Sequence, residues 1–129
     1  MKNLILLLSQ IKNASTAYKN TLLISNTKSN LELLNLLYKE GLIQKFINFY
    51  PTNKKTKKFI VHLRYYYNRS AFINLKILSK PTLPLILNFN EVCSIYDKRH
   101  ILFLSTNQGL LTSLTCKKLG IGGIALFRC

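Results

Sequence analysis

The sequence predicts an α+β chain: an N-terminal α/β lobe in the order helix-strand-helix-strand-strand, followed by a β-rich C-terminal lobe with a short helix. Three observations carry this. Apolar residues recur with helical spacing near the start and again from Leu31, and they alternate in strand fashion from Lys58 to Tyr66. From Phe72 onward the chain changes to short β-forming runs separated by turn residues. With 129 residues and 48% apolar content there is material for one compact unit or two small lobes. The pattern breaks between Tyr66 and Ser70, which sets the expected lobes at 1–68 and 69–129.

Leu4, Leu7, Leu8 and Ile11 share one face of an amphipathic first helix. Thr21–Ser25 is a short strand. Ser29-Asn30-Leu31-Glu32 reads as a capping box opening a second helix, in which hydroxyl and carboxylate each satisfy a free backbone donor. Leu31, Leu34, Leu37 and Tyr38 are its expected buried face, and Gly41 its left-handed stop. Ile43–Tyr50 and Lys58–Tyr65 form strands around the lysine-bearing loop 51–57, with Phe59, Val61, Leu63 and Tyr65 on one face. In the second lobe, strands are expected over Phe72–Leu78, Pro84–Leu87, Ile101–Leu104 and Ile124–Phe127, with a helical turn over Asn90–Asp97. Thr112 is a natural N-cap for a helix of about seven residues ending before Gly120.

Charge narrows the function. Against 19 Lys and Arg stand only Glu32, Glu40, Glu91 and Asp97, a formal net charge of +15. A compact chain so charged repels itself until a polyanion neutralises it, and nucleic acid is the leading candidate. Binding by phosphate neutralisation is steeply salt dependent. Cys93, Cys116 and Cys129 are odd in number and far apart, without a CxxC or nearby His, which argues against a disulfide framework and a zinc site. His62 and His100 are unpaired in sequence and read as structural or RNA-facing. With so few acids and no Walker loop, the chain reads as a non-enzyme without cofactor, metal or small-molecule substrate. The apolar run Leu4–Leu8 is too short for a signal peptide, no window approaches a membrane span, and the first helix has too poor a basic face for membrane-surface binding.

The most informative stretch is Ser105-Thr106-Asn107-Gln108-Gly109, delivered by an apolar strand and followed by a Thr-capped helix and Gly120-Ile121-Gly122-Gly123. Small hydroxyls and amides on a rigid turn can donate and accept hydrogen bonds while the backbone lies close to a partner. The glycines read as a helix stop with a tight return into the last strand. The loop lysines Lys54 and Lys55 read equally as RNA contacts or a solubilising tip, and Tyr65, Tyr66 and Tyr67 equally as base-stacking or packing residues.

These residues resemble the small-subunit ribosomal protein S-eight family nearly end to end. Leu8-Ser9-Gln10-Ile11-Lys12-Asn13-Ala14 is similar to its N-terminal signature, and Ser25 to Ser29 to the serine-lysine stretch before its second helix. Leu37 to Ile43 resembles its Lys-Glu-Gly-x-Ile ending, and Ser79-Lys80-Pro81 its middle signature. Ser105-Thr106 with Gly109, then Thr112, then Gly120 with Gly122 and Gly123, match its C-terminal signature. The resemblance implies a structural constituent of the small ribosomal subunit that binds the central domain of the small-subunit rRNA early in assembly, at an irregular helical junction, with neighbouring small-subunit proteins as partners. Ser105, Thr106, Asn107, Gln108 and Gly109 would form the RNA-reading turn with Gly122 and Gly123 behind it. Lys12, Asn13 and Lys28 would lie on the N-terminal contact surface, with Lys54, Lys55, Ser79 and Lys80 as further contacts. A free RNA-binding regulator, such as a translational repressor, would use the same surface and is the alternative.

The chain departs from the family at Asn107 and Gln108, where a serine and a basic residue are usual, and at Thr82-Leu83-Pro84-Leu85-Ile86, which replaces Gly-x-Arg-x-Tyr. A bias toward residues with AT-rich codons, and a match that begins near residue 3, give the expectation of an organelle-encoded copy, in the mitochondrial ribosome first and the plastid stroma second.

Overall fold

The computed structural model describes residues 2–52, 56–95 and 99–129. The chain divides into two compact units, Asn3–Ile73 and Asn74–Cys129, a few residues later than the sequence places the break. The hairpin just before the boundary explains the difference. Its Tyr65 hydroxyl donates to the Lys19 carbonyl at 2.6 Å and the Ala71 amide donates to the Arg64 carbonyl, so this segment belongs to the first unit.

The first unit contains helix α1 (Lys2–Thr16), strand β1 (Thr21–Ser25), helix α2 (Lys28–Lys39), strands β2 (Ile43–Phe49) and β3 (Lys58–Leu63), and the hairpin β4 (Tyr65–Tyr66)–β5 (Arg69–Ser70). Strands β1, β3 and β2 form an antiparallel sheet in that order. Phe59, Val61 and Leu63 point to the core with Leu7, Leu8 and Ile11 of α1, and burial alternates along β3 as the sequence predicts. Helix α2 starts earlier than expected. Thr27, not Ser29, is its N-cap: the residue is extended and its hydroxyl accepts the Asn30 amide at 3.3 Å. Asn30 is turned inward, where Nδ2 donates to the Ser25 carbonyl at 2.9 Å. The buried face is accordingly Leu33, Leu34 and Leu37, while Leu31 and Tyr38 remain 38% and 55% exposed. Gly41, at φ +75°, turns the chain out of the helix.

The second unit contains β6 (Lys76–Ile77), β7 (Leu85–Leu87), α3 (Phe89–Ile95), β8 (Leu102–Thr106), β9 (Gly109–Thr112), α4 (Ser113–Leu119) and β10 (Gly123–Arg128). Its antiparallel sheet runs β6-β10-β8-β9, and β7 also pairs with β10. Leu87, Val92, Leu102, Leu104, Cys116 and Ala125 form a core between the sheet and the two helices. The expected strand Phe72–Leu78 shrinks to Lys76–Ile77. Phe72 and Leu75 are both buried three residues apart, a turn spacing incompatible with strand alternation. Strand β9 is an addition: the segment after Gly109 pairs with β8 before Thr112 opens α4.

Candidate nucleic-acid interface

The feature singled out in the sequence is a two-residue β-hairpin. Thr106 and Gly109 face each other as the last pair of β8 and β9, leaving Asn107 and Gln108 exposed at the tip. Gly109 takes φ +107°, a region only glycine enters without strain. The Thr106 hydroxyl holds the turn from inside: it donates to the Gly109 carbonyl at 2.9 Å and accepts the Gln108 amide at 3.2 Å. Thr106 is therefore a positioning residue, and the groups it presents outward are the Asn107 and Gln108 amides. Ser105 lies one residue back, partly buried, paired with Leu110 on one side and Ile124 on the other.

Behind the hairpin the two final glycines do separate work. A Cβ on Gly123 would stand 2.5 Å from the Ser105 carbonyl oxygen and 2.9 Å from Thr106 Cγ2. A Cβ on Gly122 would meet the Leu87 carbonyl oxygen, and lie 3.0 Å from the Asn88 carbonyl carbon and the Phe89 nitrogen. Only glycines let β10 begin between the hairpin and the β7–α3 junction. The sequence reading of a helix stop applies to Gly120 alone, at φ +70° with its amide bonded to the Cys116 carbonyl. Thr112 caps α4 as predicted, accepting from the Thr115 amide.

Sequence reasoning missed Lys117 and Lys118, both exposed in the last turn of α4. Their signal was present, since a Thr-capped helix of seven residues that starts where the hairpin ends carries them with it. They are also well placed against the negative end of that helix.

Ser79 is placed differently from the expectation. It is fully buried, with its hydroxyl donating to the Ala125 carbonyl and accepting the Leu85 amide at 2.9 Å. That hydroxyl fastens the chain before β7 to β10 and is not available at the surface. Lys80 next to it is exposed on a narrow loop in which Lys80 and Leu83 exchange backbone hydrogen bonds.

In the first unit, Lys12 and Asn13 are exposed near the end of α1. The Lys12 carbonyl accepts from the hydroxyls of Ser15 and Thr16 at 2.8 and 2.9 Å, which closes the last turn. Lys12, Ser15, Thr16 and Tyr18 line a shallow groove with Ser70 and Phe72. Lys28 is exposed in the first turn of α2. Lys54 and Lys55 lie outside the described residues.

The chemistry on offer is donation and cationic charge. Among the described residues no group of three or more His, Cys, Asp or Glu is placed to hold a metal ion, and no helix is long and apolar enough to cross a membrane. Burial raises the Cys116 thiol above its ordinary pKa and pushes that of Cys129 up to about 12, so neither is an activated nucleophile. Burial also raises the Tyr65 phenol, with the neighbouring Tyr18 adding to the shift.

The sequence model described as Ribosomal protein S8 matches residues 4–129. The chain belongs to the ribosomal protein S8 family. It is 34% identical over 125 residues to the small ribosomal subunit protein uS8c of Tetradesmus obliquus, covering 91% of this chain and 89% of the relative. Identity to the small ribosomal subunit protein uS8c of Chlorella vulgaris is 33% over 126 residues, with 91% and 89% covered. The small ribosomal subunit protein uS8 of Mycoplasmopsis agalactiae is 32% identical over 117 residues, with 91% and 88% covered. The S8 family match spans both units, so hairpin, capped helix and glycine pair sit in the frame of a ribosomal protein.

Proposed function

We propose that this chain is a structural, non-catalytic constituent of the small ribosomal subunit and binds the central domain of the small-subunit rRNA, supporting its assembly beside neighbouring small-subunit proteins. The observation that carries the reading is the Thr106-locked hairpin, held from behind by Gly123, in a chain whose full length matches a ribosomal protein family. Such a tip fits RNA well. Asn107 and Gln108 can follow 2′-hydroxyls and base edges across an accessible minor groove, while Lys117 and Lys118 meet phosphate. The two units act as two RNA-binding lobes, with Lys12, Asn13 and Lys28 serving the first and the hairpin and Lys80 the second. Ser105 supports the turn backbone.

An organelle ribosome is the proposed setting. AT-biased composition and the uS8c relatives support it, and those relatives weigh toward the plastid over the mitochondrion.

The test is the affinity of the purified chain for a transcript of the central domain of its own small-subunit rRNA, against a scrambled RNA of equal length, at about 0.15 M salt, where non-specific charge binding is damped. A preference of roughly 100-fold or more supports specific recognition, within the usual range separating specific from non-specific nucleic-acid binding. Equal binding refutes it.

A further inference from the structure

One exposed element of the first unit is unused by this reading. Strands β4 and β5 form a small hairpin whose two turn residues, Tyr67 and Asn68, both take positive φ, +47° and +61°. A type I′ turn requires that geometry and normally places Asn or Gly there. Asn68 fits. Tyr67 does not: a bulky side chain in the left-handed region is an outlier, and its ring is 99% exposed, so no packing within the chain accounts for it.

The stem is held firmly. The Tyr65 hydroxyl donates to the Lys19 carbonyl at 2.6 Å, and the Tyr65 ring stacks on Tyr18 with centroids 6.0 Å apart. Arg64 Nη1 bonds both the Gly41 carbonyl at 3.1 Å and the Tyr66 hydroxyl at 3.0 Å, with its guanidinium over the Tyr66 ring. Ser70, at the other end, is buried and its hydroxyl accepts the Phe72 amide at 3.1 Å. A rigid stem thus projects one bare aromatic ring, with Arg64 and Arg69 on its flanks and no carboxylate between residues 64 and 70.

We propose that this hairpin is an RNA-stacking finger, with Tyr67 laying its ring on an unpaired rRNA base while Arg69 approaches the adjoining phosphate. The inference rests on the rRNA-binding reading above and adds a contact to it. A flat aromatic face is sequence-tolerant toward bases, and a preset turn removes the ordering cost that a flexible loop would carry. A protein partner would ask for a contiguous apolar area, and a single ring among arginines and an asparagine does not supply one.

The test uses the full chain, the same central-domain transcript and two variants. Tyr67→Asn removes the ring and places a residue that suits the turn, so its thermal unfolding midpoint should not fall. Its affinity should drop by roughly 5- to 150-fold, the range of one base–aromatic stack, with the salt slope unchanged because no charge is lost. Tyr67→Phe keeps the ring and should bind like the parent. Unchanged affinity in Tyr67→Asn, while the parent still prefers the transcript over scrambled RNA, overturns the finger and leaves the wider reading intact. Loss in Tyr67→Phe equal to that in Tyr67→Asn overturns stacking in favour of the hydroxyl. A photo-crosslinking residue at position 67 should attach to rRNA in reconstituted subunits; attachment to a protein neighbour overturns the proposal. A parent chain without any rRNA preference overturns finger and rRNA reading together.

Discussion

Gly123→Ala offers a direct test of how the hairpin is built. The added methyl would stand 2.5 Å from the Ser105 carbonyl oxygen, 2.9 Å from Thr106 Cγ2 and 3.2 Å from the Ser105 carbonyl carbon. Two of these are backbone atoms of a paired strand, so no flexible side chain can swing away. An ordinary contact needs β10 to retreat by about 1 Å, since carbon atoms pack at about 3.5 Å or more. That retreat stretches the β10–β8 pairing at Ile124–Ser105, where the register is already interrupted further along between Ala125 and Phe127. Overpacking of this kind costs about 1–3 kcal/mol, and backbone on the receiving side places this case near about 3. Gly120→Ala is the control. Nothing lies within 4 Å of its Cβ, and only the left-handed φ of +70° penalises it, by about 1 kcal/mol. Urea unfolding of both variants gives the comparison through their midpoints, provided the slopes agree. Under conditions where both are folded, Gly123→Ala should also lose rRNA affinity, because the Ser105–Thr106 backbone carries the tip, and Gly120→Ala should not. A Gly123→Ala midpoint no lower than that of Gly120→Ala would refute the close-approach argument.

Ser79→Ala leaves the Ala125 carbonyl and the Leu85 amide without their partner in a buried site, and should cost about 2 kcal/mol or more by chemical denaturation, with rRNA affinity of the folded chain unchanged. A drop in affinity without loss of stability would return Ser79 to the contact surface. Thr106→Val keeps the shape and removes both hydroxyl bonds of the turn; it should weaken rRNA binding by about 1–3 kcal/mol, and unchanged affinity would separate the turn from recognition. The Cys129 thiol is protonated in the folded chain up to a pKa of about 12, whereas in the unfolded chain it ionises near about 8.5. Its contribution to stability is therefore complete below that lower value and is lost as pH rises toward 12. Cys129→Ser should flatten the alkaline fall of the unfolding free energy, and an identical pH profile would remove the thiol from it.

Much of this architecture was legible because it rests on local chemistry. The Thr112 cap, the Gly120 and Gly41 turns and the alternation over Phe59–Leu63 are each dictated by a few neighbouring residues, and the structure has them where the sequence puts them. What sequence alone did not reveal depends on partners distant in the chain. Ser29 and Thr27 are both competent caps, and the choice falls to Thr27 because Asn30 is drawn inward to the Ser25 carbonyl. Ser79 carries a surface-like side chain, and only its pairing with β10, 46 residues on, makes it a buried clasp. Gly122 and Gly123 look like one flexible pair. Their two close approaches, one to the β7–α3 junction and one to β8, exist only once the sheet is assembled.

The same distinction orders the candidate site. Side chains that the sequence marks as polar and small divide in the structure into those that shape the turn and those that face outward, and Thr106 and Asn107 are neighbours on opposite sides of that line. Missing charge at the tip is then understandable: Asn107 and Gln108 need to match a surface, and the amines that hold phosphate can come from the end of α4, where Lys117 and Lys118 are carried by a helix capped at Thr112. Recognition built this way separates the two energetic roles. Replacing Asn107 or Gln108 should alter preference among RNAs with little change in salt slope, whereas replacing Lys117 and Lys118 by Gln should lower the slope by up to about 0.9 per phosphate released on duplex and about 0.7 on single strands, for every RNA alike. A salt slope that moved with the amides and not with the lysines would mean that the tip, and not α4, tracks the phosphate backbone, and the division of labour drawn from the hairpin would be reversed.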